Sequence, residues 1–281
     1  LSAREGLGLF DTASPDNISN IHNRIKEDIK EGAFGISFGI EYHPAITAEN
    51  IIDAANSCLE DDKYIVSAHY RSDASGAIDS IKEMIYIADN IKAKFQISHL
   101  SSCAAMGQMK EALKLIDEGI KKNRRINFDT YPYNAFSTTL GSAVFDGDCL
   151  EKWNISYEDI LLKGEPYDNL RCSKEIFEDA RKNYPGIRAI CFAMNEEEIK
   201  MALTDKNGMI GSDGGTIKGK GHPRSAGTFP RVLGKYVRDE KAITIIDALK
   251  KMTLIPAERI GLYNKGVIAL EKDADLTLFN P

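Results

Sequence analysis

No apolar run in this sequence approaches the roughly 20 residues needed to cross a bilayer. The apolar stretches are short and polar residues interrupt them, so a membrane is not expected as a partner. There is no Lys/Arg stripe. The net charge is −6, from 36 basic and 42 acidic residues, which speaks against a nucleic-acid backbone as partner. No C-x-x-C occurs among the five cysteines, Cys58, Cys103, Cys149, Cys172 and Cys191. Their scattered, odd-numbered set excludes a disulfide framework or a zinc ribbon and points to a reducing, cytoplasmic compartment. A basic segment leading into an apolar one, as in a signal peptide, is also missing. Tryptophan occurs once, at Trp153, and the chain opens on Leu1 rather than Met, so either its start was processed or it is a piece of something longer.

What is present is an ordinary globular composition, 43% hydrophobic and 28% charged over 281 residues, enough for one large domain or two small ones. Six short apolar segments read as buried strands: Ala33–Gly39, Tyr64–His69, Phe95–His99, Arg125–Thr130, Ile187–Phe192 and Met209–Asp213. Their near-continuous apolar character predicts a parallel sheet covered on both faces. Helical patterns lie between them: Ile18–Lys30, Ala48–Leu59 behind an N-cap at Thr47, Asp73–Asn90, Met106–Ile120, Glu196–Leu203 and Ile243–Met252. Gly39, His69, His99 and Asp129 each close a strand, at intervals of 30 residues. That is the length of a strand, a helix and two loops, and it predicts an α/β fold of βαβ units.

Two stretches depart from this rhythm. Ser137–Cys172 is less orderly and reads as an excursion that covers an active-site face or carries oligomer contacts, which leaves a homo-oligomer open. The segment from Lys265 onward reads as an antiparallel pair, Val267–Ala269 with Leu276–Phe279, belonging to a separate small sheet.

His69 and His99 are the strongest chemical signals, because strand ends of a parallel barrel converge on one face where active sites form. Asp213 holds the same position on the last strand. Two imidazoles and a carboxylate on one rim suit a borderline metal, zinc above others. A hydrogen-bonded core histidine is the competing use of each imidazole. Asp129, Glu41 and Tyr42 have rim positions with no settled role. Tyr131 and Tyr133 follow a strand directly and could donate to a substrate oxygen or simply pack. His222 and Arg224, in a loop just beyond Asp213, could grip an anionic substrate or be structural. Gly214–Gly221 reads GGTIKGKG but has Gly221 where a phosphate-binding loop needs Ser or Thr, and no amphipathic helix follows.

Taken in order, these segments resemble a known family. Gly32-Ala-Phe-Gly-Ile-Ser-Phe-Gly-Ile-Glu-Tyr42, Ala68-His-Tyr-Arg71, Ile97-Ser-His-Leu100, Phe128-Asp-Thr-Tyr-Pro-Tyr133, Gly211-Ser-Asp-Gly214, His222-Pro-Arg224 and Lys251-Met-Thr-Leu-Ile-Pro-Ala-Glu-Arg-Ile-Gly261 look like N-acyl-D-amino-acid deacylases of the amidohydrolase superfamily. Lys265 to Phe279 is similar to that superfamily's C-terminal return strands. The resemblance implies a TIM-type (β/α) barrel beside a small β-sandwich. By motif, His69 and His99 are implied as metal ligands on strands five and six, and Asp213 as metal-proximal proton shuttle. Tyr133, Arg71, His222 and Arg224 are implied at substrate-binding positions.

Two features differ from the family pattern. This chain has no H-x-H and no cysteine before the strand that corresponds to the family's fourth, and Ser101 and Ser102 replace a lysine common after Ser-His-Leu. The expectation is therefore an incomplete barrel of about strands 4 to 8 over residues 1–264, with return strands over 265–281. A missing N-terminal segment would supply further ligands. The implied reaction is metal-dependent hydrolysis of N-acyl-D-amino acids, with one or two zinc ions in the full-length enzyme and weak or no zinc binding in this chain. The alternatives are a cyclic-amide hydrolase of the dihydroorotase or hydantoinase type, which usually uses a modified Lys absent from Ala33–Gly39, or a non-catalytic partial-barrel subunit that needs a partner chain.

Overall fold

The computed structural model describes residues 2–8, 10–123, 125–217 and 219–280. Leu1, Leu9, Arg124, Lys218 and Pro281 lie outside the described residues. Strands run in chain order as β1 (Gly35–Gly39), β2 (Ile65–His69), β3 (Lys94–Ile97), β4 (Ile126–Thr130), β5 (Phe136–Thr139), β6 (Ile160–Lys163), β7 (Arg188–Cys191) and β8 (Gly208–Ile210), with two-residue β9 (Thr216–Ile217) and β10 (Lys220–Gly221). The main helices are α1 (Pro15–Lys30), α2 (Ala48–Cys58), α3 (Ala77–Asp89), α4 (Leu100–Ala104), α5 (Met109–Lys122), α6 (Cys149–Trp153), α7 (Lys174–Asn183), α8 (Glu196–Thr204), α9 (Arg224–Arg231), α10 (Ile245–Met252) and α11 (Leu254–Arg259).

A five-stranded parallel sheet forms in the order β1-β2-β3-β4-β8. Gly39 lies opposite His69, Ala68 opposite Ile97 and Ile97 opposite Phe128, so the 30-residue interval of the sequence is very nearly the sheet's register. Phe95, Gln96 and Ile97 of central β3 are all buried, as expected for a strand covered on both faces. No residue of edge strand β1 is fully buried. At the other edge β8 follows β4 closely: a Cβ on Gly208 would fall 2.6 Å from the Phe128 ring, so that contact requires glycine.

The helices between the strands start where the sequence places their caps. Thr47 Oγ1 accepts from Asn50 N, and the Asn50 side chain accepts from Thr47 N, so Asn50 completes the reciprocal box that Glu or Gln more often supplies. Helices α3 and α5 bury Ile81, Met84, Ile87, Met109, Ala112 and Ile116 against the sheet and each other.

Two expectations are corrected. Ile187–Phe192 is not in the parallel sheet: β7 pairs antiparallel with β5 and β6. An apolar run has the same pattern in either kind of sheet, and its partners come from the excursion that the sequence shows as less orderly. The pair Val267–Ala269 and Leu276–Phe279 forms no ladder. This tail is held by Lys265 to Asp273 at 3.0 Å and by Asp273 N to Asn264 O at 2.9 Å, while Ile268 and Leu278 stay 89% and 100% exposed. An isolated hairpin is marginal in water, and among the described residues no third strand receives it.

Candidate active site

β2 ends on His69, with the Tyr70 ring stacked on its imidazole at 4.1 Å between centroids and Tyr42 on another side at 4.9 Å. His99 lies two residues beyond β3, at the N-terminus of α4, with φ +38° in the left-handed region. Asp129, at the end of β4, holds that strained turn. Its Oδ1 accepts from His99 N at 2.8 Å and its Oδ2 from Gln96 Nε2 at 2.9 Å. Asp129 is thus a bracket for the backbone of His99.

The two imidazoles meet. His69 Nδ1 lies 2.9 Å from His99 Nε2, His69 Nε2 lies 2.8 Å from Glu41 Oε2, and His99 Nδ1 lies 2.8 Å from Ser102 Oγ. One proton order runs from a protonated Glu41 through both rings to Ser102, whose hydroxyl donates to His99 O at 2.9 Å. With Glu41 ionised the order reverses: Ser102 donates to His99, His99 to His69, and His69 to the carboxylate. Burial pushes Glu41 up to about 7, opposed by the Lys152 charge. Burial also pushes both histidines down to about 4, and His69 further disfavours a charge on His99. The rings are therefore neutral at pH 7, and Glu41 is poised between its two states.

Asp213 lies on the same cavity of about 450 Å³ as His69 and His99, three residues past β8, with φ +46°. Its Oδ2 accepts from Arg224 Nη2 at 2.8 Å, so the carboxylate is turned to the guanidinium rather than into the imidazole pair. Arg224 is buried at the start of α9, lies over the Tyr131 ring at 4.5 Å, and keeps Nε and Nη1 without a partner. His222 Nδ1 accepts from Arg224 N at 3.0 Å, which orients the loop. Burial, with the Arg224 charge, pushes His222 down to about 3.

Two sequence-predicted residues stand elsewhere. Arg71 does not line the cavity. Its Nε and Nη2 bond Glu83 at 2.9 and 2.7 Å and its Nη2 also donates to Ile46 O, so the guanidinium is used in fastening α3 to a loop. Tyr133 is one layer back, edge-on to His222 at 5.1 Å and beneath Arg231 at 4.8 Å. Sequence reasoning left Glu41 without a role and missed Ser102. The one available signal was their positions, Glu41 two residues past a strand and Ser102 three past His99.

Among the described residues no three His, Cys, Asp or Glu side chains are arranged around a common metal position. The imidazole pair nevertheless has the right donor chemistry. Two ligands of a tetrahedral zinc, with bonds of about 2.0–2.1 Å, lie about 3.3 Å apart. The 2.9 Å gap between His69 Nδ1 and His99 Nε2 is a small widening short of that. Glu41 and Ser102, on the far nitrogens, are the outer partners that orient ligating histidines.

The sequence pattern of the amidohydrolase family matches residues 10–281. The chain belongs to the amidohydrolase family. It is 31% identical over 277 residues to the D-aminoacylase of Alcaligenes xylosoxydans xylosoxydans, which covers 96% of this chain and 56% of that protein. It is 28% identical over 267 residues to the N-acyl-D-glutamate deacylase of the same organism, covering 91% and 53%. Among solved structures, the N-acyl-D-glutamate deacylase of Bordetella bronchiseptica, complexed with zinc and a phosphonate mimic of the tetrahedral intermediate, superposes with TM-score 0.82 at 25% identity, covering 95% of this chain and 57% of that one. A D-aminoacylase studied for its binuclear metal centre gives 0.78 at 28% identity, covering 92% and 55%. This amidohydrolase chain thus spans about half the length of the relatives it matches. No helix among its described residues is long and apolar enough to cross a membrane.

Proposed function

We propose that this chain carries the proton-shuttling and substrate-carboxylate side of a metal-dependent N-acyl-D-amino-acid deacylase. The observation that carries this reading is the convergence of His69, His99, Asp213 and Arg224 on one cavity. His69 and His99 would hold zinc, which lowers the pKa of a water toward neutrality and polarises an amide carbonyl. Asp213 takes the proton from the attacking water and later delivers it to the leaving amine, so one carboxylate is base and then acid. Arg224, with Nε and Nη1 buried and free, receives the carboxylate of the amino acid. With zinc bound, Glu41 and Ser102 would accept from the outer nitrogens of the imidazoles and so leave the inner ones bare. β1 carries no Lys that could bridge two metals, so cyclic-amide hydrolysis has no comparable support.

A catalytic zinc site typically takes three protein ligands. This chain offers two imidazoles and an aspartate that the chemistry needs free. The 281-residue chain is therefore expected to bind zinc weakly and to turn over poorly, and a longer protein containing it to be active. The test is amine release from N-acetyl-D- and N-acetyl-L-amino acids, with zinc content measured in parallel. Release from the D-substrates alone by the longer protein, abolished there by Asp213→Asn, with little release by the 281-residue chain, is the expected result. Activity on cyclic amides in place of N-acyl-D-amino acids would overturn the reading.

A further inference from the structure

Five charged side chains line the cavity: Glu41, Asp129, Arg188, Asp213 and Arg224. Four are spoken for. Glu41 meets His69, Asp129 accepts from His99 N and Gln96, and Asp213 pairs with Arg224. Arg188 has no carboxylate or carbonyl acceptor among the described residues, and its Nε is buried without a partner. Nothing in the parallel sheet positions it. It comes from β7, the middle strand of the antiparallel sheet, between Thr139 of β5 and Lys163 of β6. Its Nη2 abuts Gly215, where a Cβ would lie 3.6 Å away, two residues beyond Asp213. The excursion therefore delivers a fixed, uncompensated guanidinium to the rim of the catalytic cavity. Such a group is costly to hold without an acceptor, and its planar fork matches a carboxylate.

We infer that Arg188 is a specificity residue that binds a second carboxylate of the substrate, so that the preferred substrates are N-acyl derivatives of acidic D-amino acids. The inference rests on the deacylase reading, in which Arg224 takes the carboxylate that every amino acid has. A dicarboxylate then finds one guanidinium for each of its anions. Arg224 and Arg188 are the only cations among the described residues that line the cavity.

The test is equilibrium binding, by calorimetry in the presence of zinc, of N-acetyl-D-glutamate and its neutral isostere N-acetyl-D-glutamine to the 281-residue chain and to Arg188→Met. The wild-type chain is expected to bind the glutamate derivative about tenfold or more tightly than the glutamine derivative, the range for one charge-assisted bond. Arg188→Met should bind the two alike, with the glutamine affinity unchanged and the thermal midpoint retained. Equal wild-type affinities would overturn the inference and leave the deacylase reading standing. So would equal weakening of both ligands by Arg188→Met, which would put Arg188 on the shared carboxylate or make it structural. Binding of neither ligand by the wild-type chain would overturn the deacylase reading and this inference together.

Discussion

At His69 and His99 the hydrogen bond between the rings holds a proton where a metal ligand pair must present two lone pairs. Zinc binding must move that proton off the inner nitrogens, leaving His69 donating outward to Glu41 and His99 outward to Ser102. With Glu41 ionised this is a change of tautomer that releases no proton, and with Glu41 protonated one proton leaves. Release per zinc should therefore fall from about one toward none as pH rises through about 7, measurable by calorimetry in two buffers of different ionisation enthalpy. Glu41→Gln should loosen zinc by about 10–100-fold in a chelator competition, because an amide can donate to His69 Nε2 and lock the wrong tautomer. Unchanged affinity would mean that Glu41 does not set the ring's protonation.

The element that looks least ordered in the sequence depends on one buried carboxylate. Asp73, in the turn between β2 and α3, accepts from Trp153 Nε1 at 2.8 Å and pairs with Lys152, both on α6. This clasp docks the excursion onto the main sheet and brings Lys152 close enough to moderate Glu41. Phe136 and Phe145 pack edge-on around the same indole. Removing one partner of a buried pair strands the other, so Asp73→Ala should cost about 3–5 kcal/mol in urea unfolding. A loss below about 1 kcal/mol, the usual size for a surface ion pair, would show that the clasp is dispensable.

Over the whole molecule, the buried histidines make the metal-free protein sensitive to acid. His69 and His99, held down to about 4, and His222, held down to about 3, bind protons more weakly in the folded than in the unfolded chain, where the ordinary value is 6.5. Stability should therefore fall as pH drops below about 6.5 and keep falling to about 4. Glu41, raised from 4.5 to about 7, acts in the opposite sense over part of that window, as do Asp73 and Asp129, which burial also raises. Thermal midpoints between pH 7.5 and 4.5 should decline toward acid, and a flat profile would contradict the neutral buried rings. Zinc at 100 times its dissociation constant should stabilise the fold by about 2.7 kcal/mol at neutral pH. That gain should shrink in acid as protons compete for the same nitrogens.

By itself the sequence determined what depends on local order: the strand segments, their 30-residue interval, the capped helices and the histidines at strand ends. A parallel sheet of βαβ units repeats its local pattern, so the spacing of Gly39, His69, His99 and Asp129 carries over into register. Residues far apart in the chain meet only on folding, and there tertiary structure decided the outcome. It turned Asp213 to Arg224, gave Arg71 to Glu83, and made Asp129 a backbone bracket. It paired β7 with strands from the excursion and so set Arg188 on the cavity wall. The tail from Lys265 carries a strand pattern but lacks a ladder, because a strand needs a neighbour to satisfy its backbone and pattern alone cannot supply one.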